Sequence, residues 1–331
     1  MVSLISLKFA AISPIVPAFK RFRSCTVAIQ LIILLMASVG CTAAQALRSD
    51  SGTSEPIVDP VAPGQSVFGK NNYIEYVTGN LPVAISVPHG GYLKPPTIPN
   101  RTLGTAGHQD TGTQELAREI AEIFHQITGR FPHIIINRLH RDKLDANREL
   151  FDAAQDDPAA TDAWNEFHSF IDSAEQHIER EFGRGLYIDL HGHRHDWQAV
   201  ELGYLLVSSQ LKLSDLELDS VAALSVSSFG RLPDRLTLRP SRLIRGELSF
   251  GALLRKHGFV SVPSPDIPHP NGEPYFSGGY NLERHSAFSG QKVWGIQVEL
   301  PIGIREDNTR RRAFAIAFVK SALDFLSNIR E

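Results

Sequence analysis

The sequence predicts an α/β fold: a mostly parallel, mixed sheet with helices on both faces. Short apolar runs with strand character alternate along the chain with amphipathic patterns of helical period. The central run, residues 186–190, is apolar except for Asp189, as expected of a strand covered on both faces. The length of 331 residues, of which 42% are hydrophobic, suits one such domain of about 270 residues behind an N-terminal leader.

The first 46 residues are predicted to be a signal peptide. They contain four cationic residues and no acidic one, followed by the apolar run Val27–Met36 and a stretch of small residues. The apolar run is too short to span a membrane comfortably. Ala44–Ala46 fits cleavage before Leu47, whereas Ser38–Cys41 resembles a lipoprotein signal that would lipidate Cys41. We therefore expect an exported protein, periplasmic or extracellular, whose only membrane attachment would be a lipid on Cys41.

The positions of the cysteines and the net charge limit which metal ligands and which partners the mature protein can have. Both cysteines, Cys25 and Cys41, lie in the leader, so a metal would be held by His, Asp and Glu. Loss of the four leader cations moves the formal net charge from −3 to −7, which argues against nucleic acid as a partner. Residues 47–65, rich in Ser, Pro, Gly and Asp, are predicted to be a flexible linker, and residues 66–331 the folded domain.

The N-terminal half of the domain is predicted to contain three strands and two helices. Turn residues Thr78–Asn80 separate the first two strands, and Gly129 ends the first helix. The Pro-rich loop Tyr92–Gly107 is interpreted as functional, because long irregular loops in compact domains usually are. The expected elements are strands Tyr73–Val77 and Val83–Val87, helix Thr111–Thr128, strand His133–Leu139 and helix Asp157–Phe182.

The C-terminal half continues the alternation after the central strand. A Pro- and Gly-rich loop, Pro263–Gly279, interrupts it before the last strand. The expected elements are strand Leu202–Val207, helices Leu213–Phe229 and Leu248–His257, strand Val293–Leu300 and a closing helix Asp307–Ile329.

The end of the central strand carries the strongest signal for a functional site. Three histidines occur within five residues, at His191, His193 and His195. Open α/β sheets bind ligands at the carboxyl ends of their strands, so a metal ligand is predicted here. Asp189 and His191 share one face of a regular strand, and the carboxylate could orient the imidazole. The alternative is a solvated turn.

Two further stretches follow predicted strands or precede a predicted helix. His89 ends the strand in SVPHGG, where the glycines allow the backbone to approach a ligand closely. Asp110, in HQDTGT, is either a metal ligand or, with Thr111, a cap of the helix that begins there. His108 is a competing ligand in the same turn, and Glu115 is a weaker one.

The remaining polar residues suit substrate binding and proton transfer. Asn147 and Arg148 place an amide beside a planar bidentate donor that can grip a carboxylate, although a solvated surface loop is the alternative. Glu299 lies near the end of an otherwise apolar strand, where a buried carboxylate is costly unless it is paired or metal-linked. It is therefore a general-base candidate.

The ordered motifs SVPHGG, HQDTGT, DANRE, YIDLHGH and VELP together resemble the N-formylglutamate amidohydrolase family. That family is similar in fold to the zinc carboxypeptidases, which have a phosphorylase/hydrolase-like sheet. The resemblance implies that His89, Asp110 and His191 bind zinc. It also implies that Asn147 and Arg148 anchor the substrate's carboxylate and that Glu299 is the base.

These observations favour a zinc-dependent hydrolase that cleaves an amide bond beside a free carboxylate, in an N-acyl amino acid or a peptide. His193 or Arg194 would stabilise the oxyanion. An exported carboxypeptidase or cell-wall peptide amidase is an alternative, as is a catalytically silent binding module of the same fold. The ligand types also suit iron, manganese and cobalt.

Overall fold

The computed structural model describes residues 61–103, 108–220, 226–230 and 239–328. The predicted signal peptide and most of the predicted linker lie outside the described residues, so both remain predictions. Among the helices described, none combines the length and apolar character needed to cross a membrane.

The described residues form a mixed sheet of eight strands. The strands are β1 Ser66–Phe68, β2 Ile74–Val77, β3 Val83–Val87, β4 His133–Asn137, β5 Gly185–His193, β6 Val200–Gly203, β7 Ser261–Val262 and β8 Val293–Pro301. In spatial order they run β1-β2-β4-β3-β5-β8-β6-β7. The four central strands, β4, β3, β5 and β8, are mutually parallel, while β2 and β6 flank them in antiparallel orientation.

Helices cover both faces of this sheet. The described α-helices are α1 Thr113–Thr128, α2 Leu150–Ala154, α3 Pro158–Phe182, α4 Ser208–Leu211, α5 Asp215–Leu218, α6 Pro240–Ile244, α7 Phe250–Lys256, α8 Tyr280–His285, α9 Ile302–Arg305 and α10 Asn308–Asn328. Short 3₁₀ turns occur at Lys70–Asn72 and Ala287–Ser289. Local sequence sets the ends of the longest helix, α3. The Asp157 carboxylate accepts a hydrogen bond from the backbone N–H of Ala160, and Gly183 takes the left-handed conformation after the last turn.

Alternation along the strands divides the apolar core into two layers. Val83, Ile85 and Val87 of β3 belong to the layer that includes the apolar residues of α1, α7 and α10. Ala84, between them, belongs to the layer under α3. The predicted mostly parallel mixed sheet with helices on both faces is therefore confirmed.

Several element boundaries differ from prediction for local reasons. The first helix begins at Thr113 rather than Thr111, because Gly112 is in the left-handed region with φ 83°. Strand β4 stops at Asn137 rather than Leu139, where the Asn137 side chain accepts a hydrogen bond from the backbone N–H of Leu139. The predicted strand Leu202–Val207 is instead Val200–Gly203, since Leu205, with φ 63°, turns the chain out of the sheet.

The predicted helix Leu213–Phe229 is mostly wrong: of its described residues, only Asp215–Leu218 form an α-helix. Ser214 and Glu217 form a capping box, with each side chain bonded to the other's backbone N–H, and this starts the new single-turn helix α5. A residue that caps a helix has extended backbone, so Ser214 cannot lie inside one. Residues 221–225, within the predicted helix, lie outside the described part of the chain.

Candidate metal centre and active site

The candidate site lies at the carboxyl ends of the central parallel strands. His89 follows β3, His191 is in β5 and Glu299 is in β8, where the strand register pairs it with His191. Asp110 reaches them from the loop before α1, and its backbone N–H donates to the carbonyl of His89. Because alternate residues share a face, His191 and Glu299 lie opposite the apolar layer formed by their neighbours Leu190 and Val298.

Three of the predicted residues converge on one point. Asp110 Oδ2 lies 3.2 Å from His191 Nδ1 and 3.4 Å from His89 Nδ1. One potential ligand atom from each residue falls within 4.8 Å of the others, and all three side chains are buried. The backbone N–H of Gly192 also donates to Asp110 Oδ2, at 3.1 Å. Both imidazoles thus turn the same ring nitrogen toward one carboxylate oxygen.

The Nε2 atom of each imidazole lies against a second buried carboxylate. His89 Nε2 lies 2.6 Å from Asp145 Oδ1, and His191 Nε2 lies 2.8 Å from Asp189 Oδ2. A histidine that binds a metal through one nitrogen commonly donates its other N–H to a carboxylate, which sets the tautomer and the ring orientation. The orienting role predicted for Asp189 has this geometry. Asp145 was missed, because in the sequence it is one charge among several in a loop.

Contacts within the cluster lower the pKa of Asp110 and raise that of His191. Burial would raise the pKa of Asp110, but the hydrogen bond to His191 and the charges and close contacts of the His191 and His89 rings hold it far below its usual range. Burial would lower the pKa of His191, yet the Asp189 charge and the hydrogen bonds to Asp110 and Asp189 raise it well above the usual value. A metal bound at His191 would take the place of a proton on Nδ1.

The cluster fits a divalent metal. His89 Nδ1 is buried and makes no hydrogen bond among the described residues. Ligand bonds of about 2.0–2.2 Å at tetrahedral angles separate neighbouring donor atoms by roughly 3.4 Å. The separations of 3.2 Å and 3.4 Å around Asp110 match that spacing. His89, Asp110 and His191 are thus the residues that would hold the ion.

Glu299 lies beside the trio, and its side chain is buried. Its side chain accepts a hydrogen bond from Gln297 Nε2 at 3.0 Å and lines the same cavity as His89, Asp110 and His191. Burial, together with the charges of Asp110 and nearby acids, raises its pKa to about 8 despite the opposing charge of His191. A cation in the cavity would favour the ionised form.

The predicted substrate anchors lie at the wall of this cavity, whose volume is about 180 Å³. Arg148 is half-exposed, with 51% of its side chain accessible, so its guanidinium is free to meet a ligand. Asn147 is more constrained, because its Oδ1 accepts a hydrogen bond from the backbone N–H of Asn281. Arg141, not predicted, also lines the cavity and donates to Asp145 Oδ2 at 3.0 Å. Phe276, Gly278, Gly279 and Tyr280 also line the cavity.

Arg305 joins the segments that carry the site. This fully buried guanidinium donates to the backbone carbonyls of Leu300, His193 and Thr111. It therefore ties the ends of β8 and β5 to the Asp110 loop. A Cβ at Gly192 would fall 2.1 Å from the Arg305 side chain, which explains the glycine in the central motif. No pattern in the sequence marks Arg305.

The other predicted alternatives are placed away from the trio. The Asp110 carboxylate is not a helix cap: the helix starts after Gly112 with no side-chain cap, and only the Asp110 backbone carbonyl bonds Thr113. Glu115 accepts a hydrogen bond from Tyr92, and neither it nor His108 belongs to the trio. His193 and Arg194 line a neighbouring cavity of about 350 Å³ rather than the one containing Glu299.

No protein-family model matches the chain, and no curated protein matches it. Solved structures with a similar backbone include N-formylglutamate amidohydrolase from Ralstonia eutropha, at 14% identity and TM-score 0.47 over 80% of this chain and 98% of that one. A gene product of Agrobacterium tumefaciens aligns at 16% identity and TM-score 0.43 over 75% and 90% of the two chains. The CwlD amidase of Clostridioides difficile, solved with the GerS lipoprotein, aligns at 8% identity and TM-score 0.32 over 74% and 98%. At such identities and scores, these likenesses say nothing about activity.

Proposed function

We propose that this protein is a zinc-dependent hydrolase that cleaves an amide bond beside a free carboxylate, in an N-acyl amino acid or a peptide. The observation that carries the proposal is the pair of imidazoles that turn Nδ1 toward Asp110 while Asp145 and Asp189 hold Nε2. Three ligands from the protein leave one position for water, as in catalytic zinc sites. Bound zinc would lower the pKa of that water toward about 7 and polarise the scissile carbonyl.

Glu299 is proposed to act as the general base. It is buried, it shares the cavity with the trio, and its only hydrogen-bond donor among the described residues is Gln297. With a cation nearby the carboxylate is ionised, so it can accept the proton of the attacking water. The same oxygen then delivers that proton to the leaving amine. A pure binding module has no need of a costly buried carboxylate here, which disfavours that alternative.

Arg148 is proposed to hold the substrate's carboxylate. Its side chain reaches both cavities, and Asp145 Oδ2 is 4.0 Å from its Nε, too far for a direct hydrogen bond. The guanidinium therefore keeps donors available for a bidentate contact with a ligand. Asn147 is more constrained, because its Oδ1 accepts from the backbone N–H of Asn281 and its Nδ2 lies 3.2 Å from His191 Nε2. Anchoring at one end fixes the scissile bond relative to Glu299.

Metal content and hydrolysis test this proposal together. Wild-type protein should retain one more equivalent of zinc than His191→Ala, while an exposed control, His257→Ala, should match wild type. A panel of N-acyl amino acids and dipeptides with free carboxyl termini should reveal zinc-dependent turnover, and peptide cleavage would favour the exported peptidase alternative. Equal zinc in wild type and His191→Ala would refute the metal centre. Zinc binding without any turnover would favour the silent binding module.

A further inference from the structure

A second cluster of potential ligands lies on α3 and α8, away from the catalytic trio. Asp172 and Glu175, one turn apart on α3, face His285 at the end of α8. The three residues offer ligand atoms within 4.8 Å of one another. Glu175 and His285 are buried, whereas 38% of the Asp172 side chain is exposed. The cluster therefore borders solvent at Asp172.

Buried polar atoms of Glu175 and His285 have no hydrogen-bond partner among the described residues. Neither carboxylate oxygen of Glu175 makes a hydrogen bond within the described residues, and neither does His285 Nδ1. Buried polar atoms are nearly always paired, because an unpaired one costs about 1–3 kcal/mol and a charged one more. Unpaired atoms of Glu175 and of His285, in a group whose ligand atoms lie within 4.8 Å of one another, indicate a ligand between them.

The opposite side of the His285 ring is already held. His285 Nε2 lies 2.8 Å from His168 Nδ1, and the two rings stack at an interplanar angle of 15°. If Nε2 carries the proton and donates it to His168, then Nδ1 presents a lone pair to Asp172 and Glu175. That is the tautomer a metal ligand requires, with its orienting partner in place.

The separations in the cluster fit coordination better than a salt bridge. His285 Nδ1 is 3.4 Å from Asp172 Oδ1 and 3.6 Å from Glu175 Oε2. Charge-assisted N–H···O contacts are shorter, about 2.7–2.9 Å. Donor atoms around a tetrahedral metal are roughly 3.4 Å apart, as in the catalytic trio. Two carboxylates and a neutral imidazole also balance the charge of a divalent cation.

A third group of similar composition, His193, His195 and Glu201, lacks these features. His193 Nε2 is 3.0 Å from the carbonyl of Ala199, so it must donate there. His195 Nδ1 is 2.7 Å from Glu201 Oε1, and Glu201 Oε2 accepts from the backbone N–H of Phe276. The atoms that would face a metal are already bonded, which makes this group a hydrogen-bonded network.

We propose that Asp172, Glu175 and His285 form a second divalent-cation site, distinct from the catalytic trio, that binds zinc and fastens α8 to α3. The second residue of α8, Asn281, donates a hydrogen bond to Asp189 Oδ1 at 3.2 Å, and its backbone N–H bonds Asn147. The ion would therefore stabilise the helix that supports the orienting carboxylate of His191. Its role is structural, and it does not depend on the proposed hydrolysis.

Zinc binding in a protein that lacks the catalytic ligands tests this site alone. Full-length His89→Ala/His191→Ala protein, stripped of metal and dialysed against zinc, should bind about one equivalent. Its melting temperature should rise by roughly 5 °C when zinc is 100-fold above Kd. Adding Glu175→Gln, which preserves the shape of the side chain, should abolish both effects. Glu179→Gln, one turn further along α3 and exposed, should abolish neither.

The converse measurement separates this proposal from the proposed function. Glu175→Gln in the otherwise wild-type protein should lose one equivalent of zinc and keep the one bound by the trio. Asp172→Asn, at the partly exposed ligand, gives the same test if Glu175→Gln fails to fold. The absence of saturable zinc in His89→Ala/His191→Ala protein, or unchanged zinc in the Glu175 and Asp172 variants, would show that this cluster is a buried ion pair instead.

Discussion

The carboxylate of Asp189 lies 2.8 Å from Nε2 of His191, two residues further along the same strand. Its other oxygen accepts hydrogen bonds from Ser86 at 2.6 Å and from Asn281 at 3.2 Å. The carboxylate is therefore held on both sides, and it holds the imidazole with Nδ1 directed at Asp110. The orientation of the proposed ligand depends on a residue that would not itself touch the metal.

Asp189→Asn should weaken zinc binding at the trio by about 10- to 100-fold, because an amide holds the His191 ring and its tautomer less firmly than a carboxylate does. Competition with a chelator of known affinity measures the change. Asp196→Asn, an exposed substitution of the same kind just beyond the strand, is the matched control. Equal zinc affinity in the two variants would argue against an orienting role for Asp189.

Glu299→Gln should leave zinc bound while kcat falls by about 10² to 10⁴, since the amide keeps the shape but accepts no proton. Single-turnover hydrolysis together with metal analysis checks both parts. Glu283→Gln, on the exposed side of α8, should behave as wild type. Retained turnover in Glu299→Gln would assign the base to another group.

Arg148→Ala should raise KM most for substrates with a free carboxylate, by about 10-fold or more, because a charge-assisted contact is worth about 1.5–3 kcal/mol. The matching neutral amides provide the internal control and should change little. Arg148→Lys should recover only part of the loss, since it cannot make a bidentate contact. An equal loss on charged and neutral substrates would contradict the anchoring role.

His133 should make the fold sensitive to acid. It is buried, accepts a hydrogen bond from the backbone N–H of Gly79 and lies 2.7 Å from Tyr76 Oη. Burial lowers its pKa from 6.5 to about 3. Between these values the unfolded chain binds a proton that the folded chain does not, so the free energy of unfolding falls as pH decreases, by up to about 1.4 kcal/mol per pH unit.

Denaturant titrations between pH 7 and pH 4 measure this dependence. His133→Gln should show a shallower decrease than wild type over that interval, whatever its stability at pH 7. His257→Gln, at an exposed histidine, should keep the wild-type slope. Identical slopes in wild type and His133→Gln would mean that His133 is protonated in the folded protein.

His89, His191 and Glu299 could be found in the sequence because each stands at or just after the end of a buried strand. His191 and Glu299 interrupt apolar runs, and the common direction of parallel strands then brings their ends to one edge of the sheet. The alternation of each run also indicated which residues share a face, as with Asp189 and His191. Element type was predicted correctly for the long helices α1, α3 and α10.

The sequence could not reveal the residues whose role depends on distant partners. Asp145 contacts His89 from 56 positions away, and Glu175 faces His285 across two helices. Arg305 bonds carbonyls from three separate segments, which only the folded chain brings together. The predicted helix Leu213–Phe229 was too long because apolar residues continue to recur beyond Leu218, where α5 ends.

Local chemistry and periodicity, both encoded in neighbouring residues, thus determined the fold class and the set of candidate ligands. Tertiary packing decided three features of the protein. It placed Asp110 beside the two histidines, it placed a second carboxylate against the other nitrogen of each imidazole, and it formed the cluster on α3 and α8. The physical reason is that the pattern of neighbouring residues indicates only whether a residue lies in a strand or a helix and which face it occupies. Only the close approach of strands, helices and loops fixes which buried charges must share one low-dielectric space.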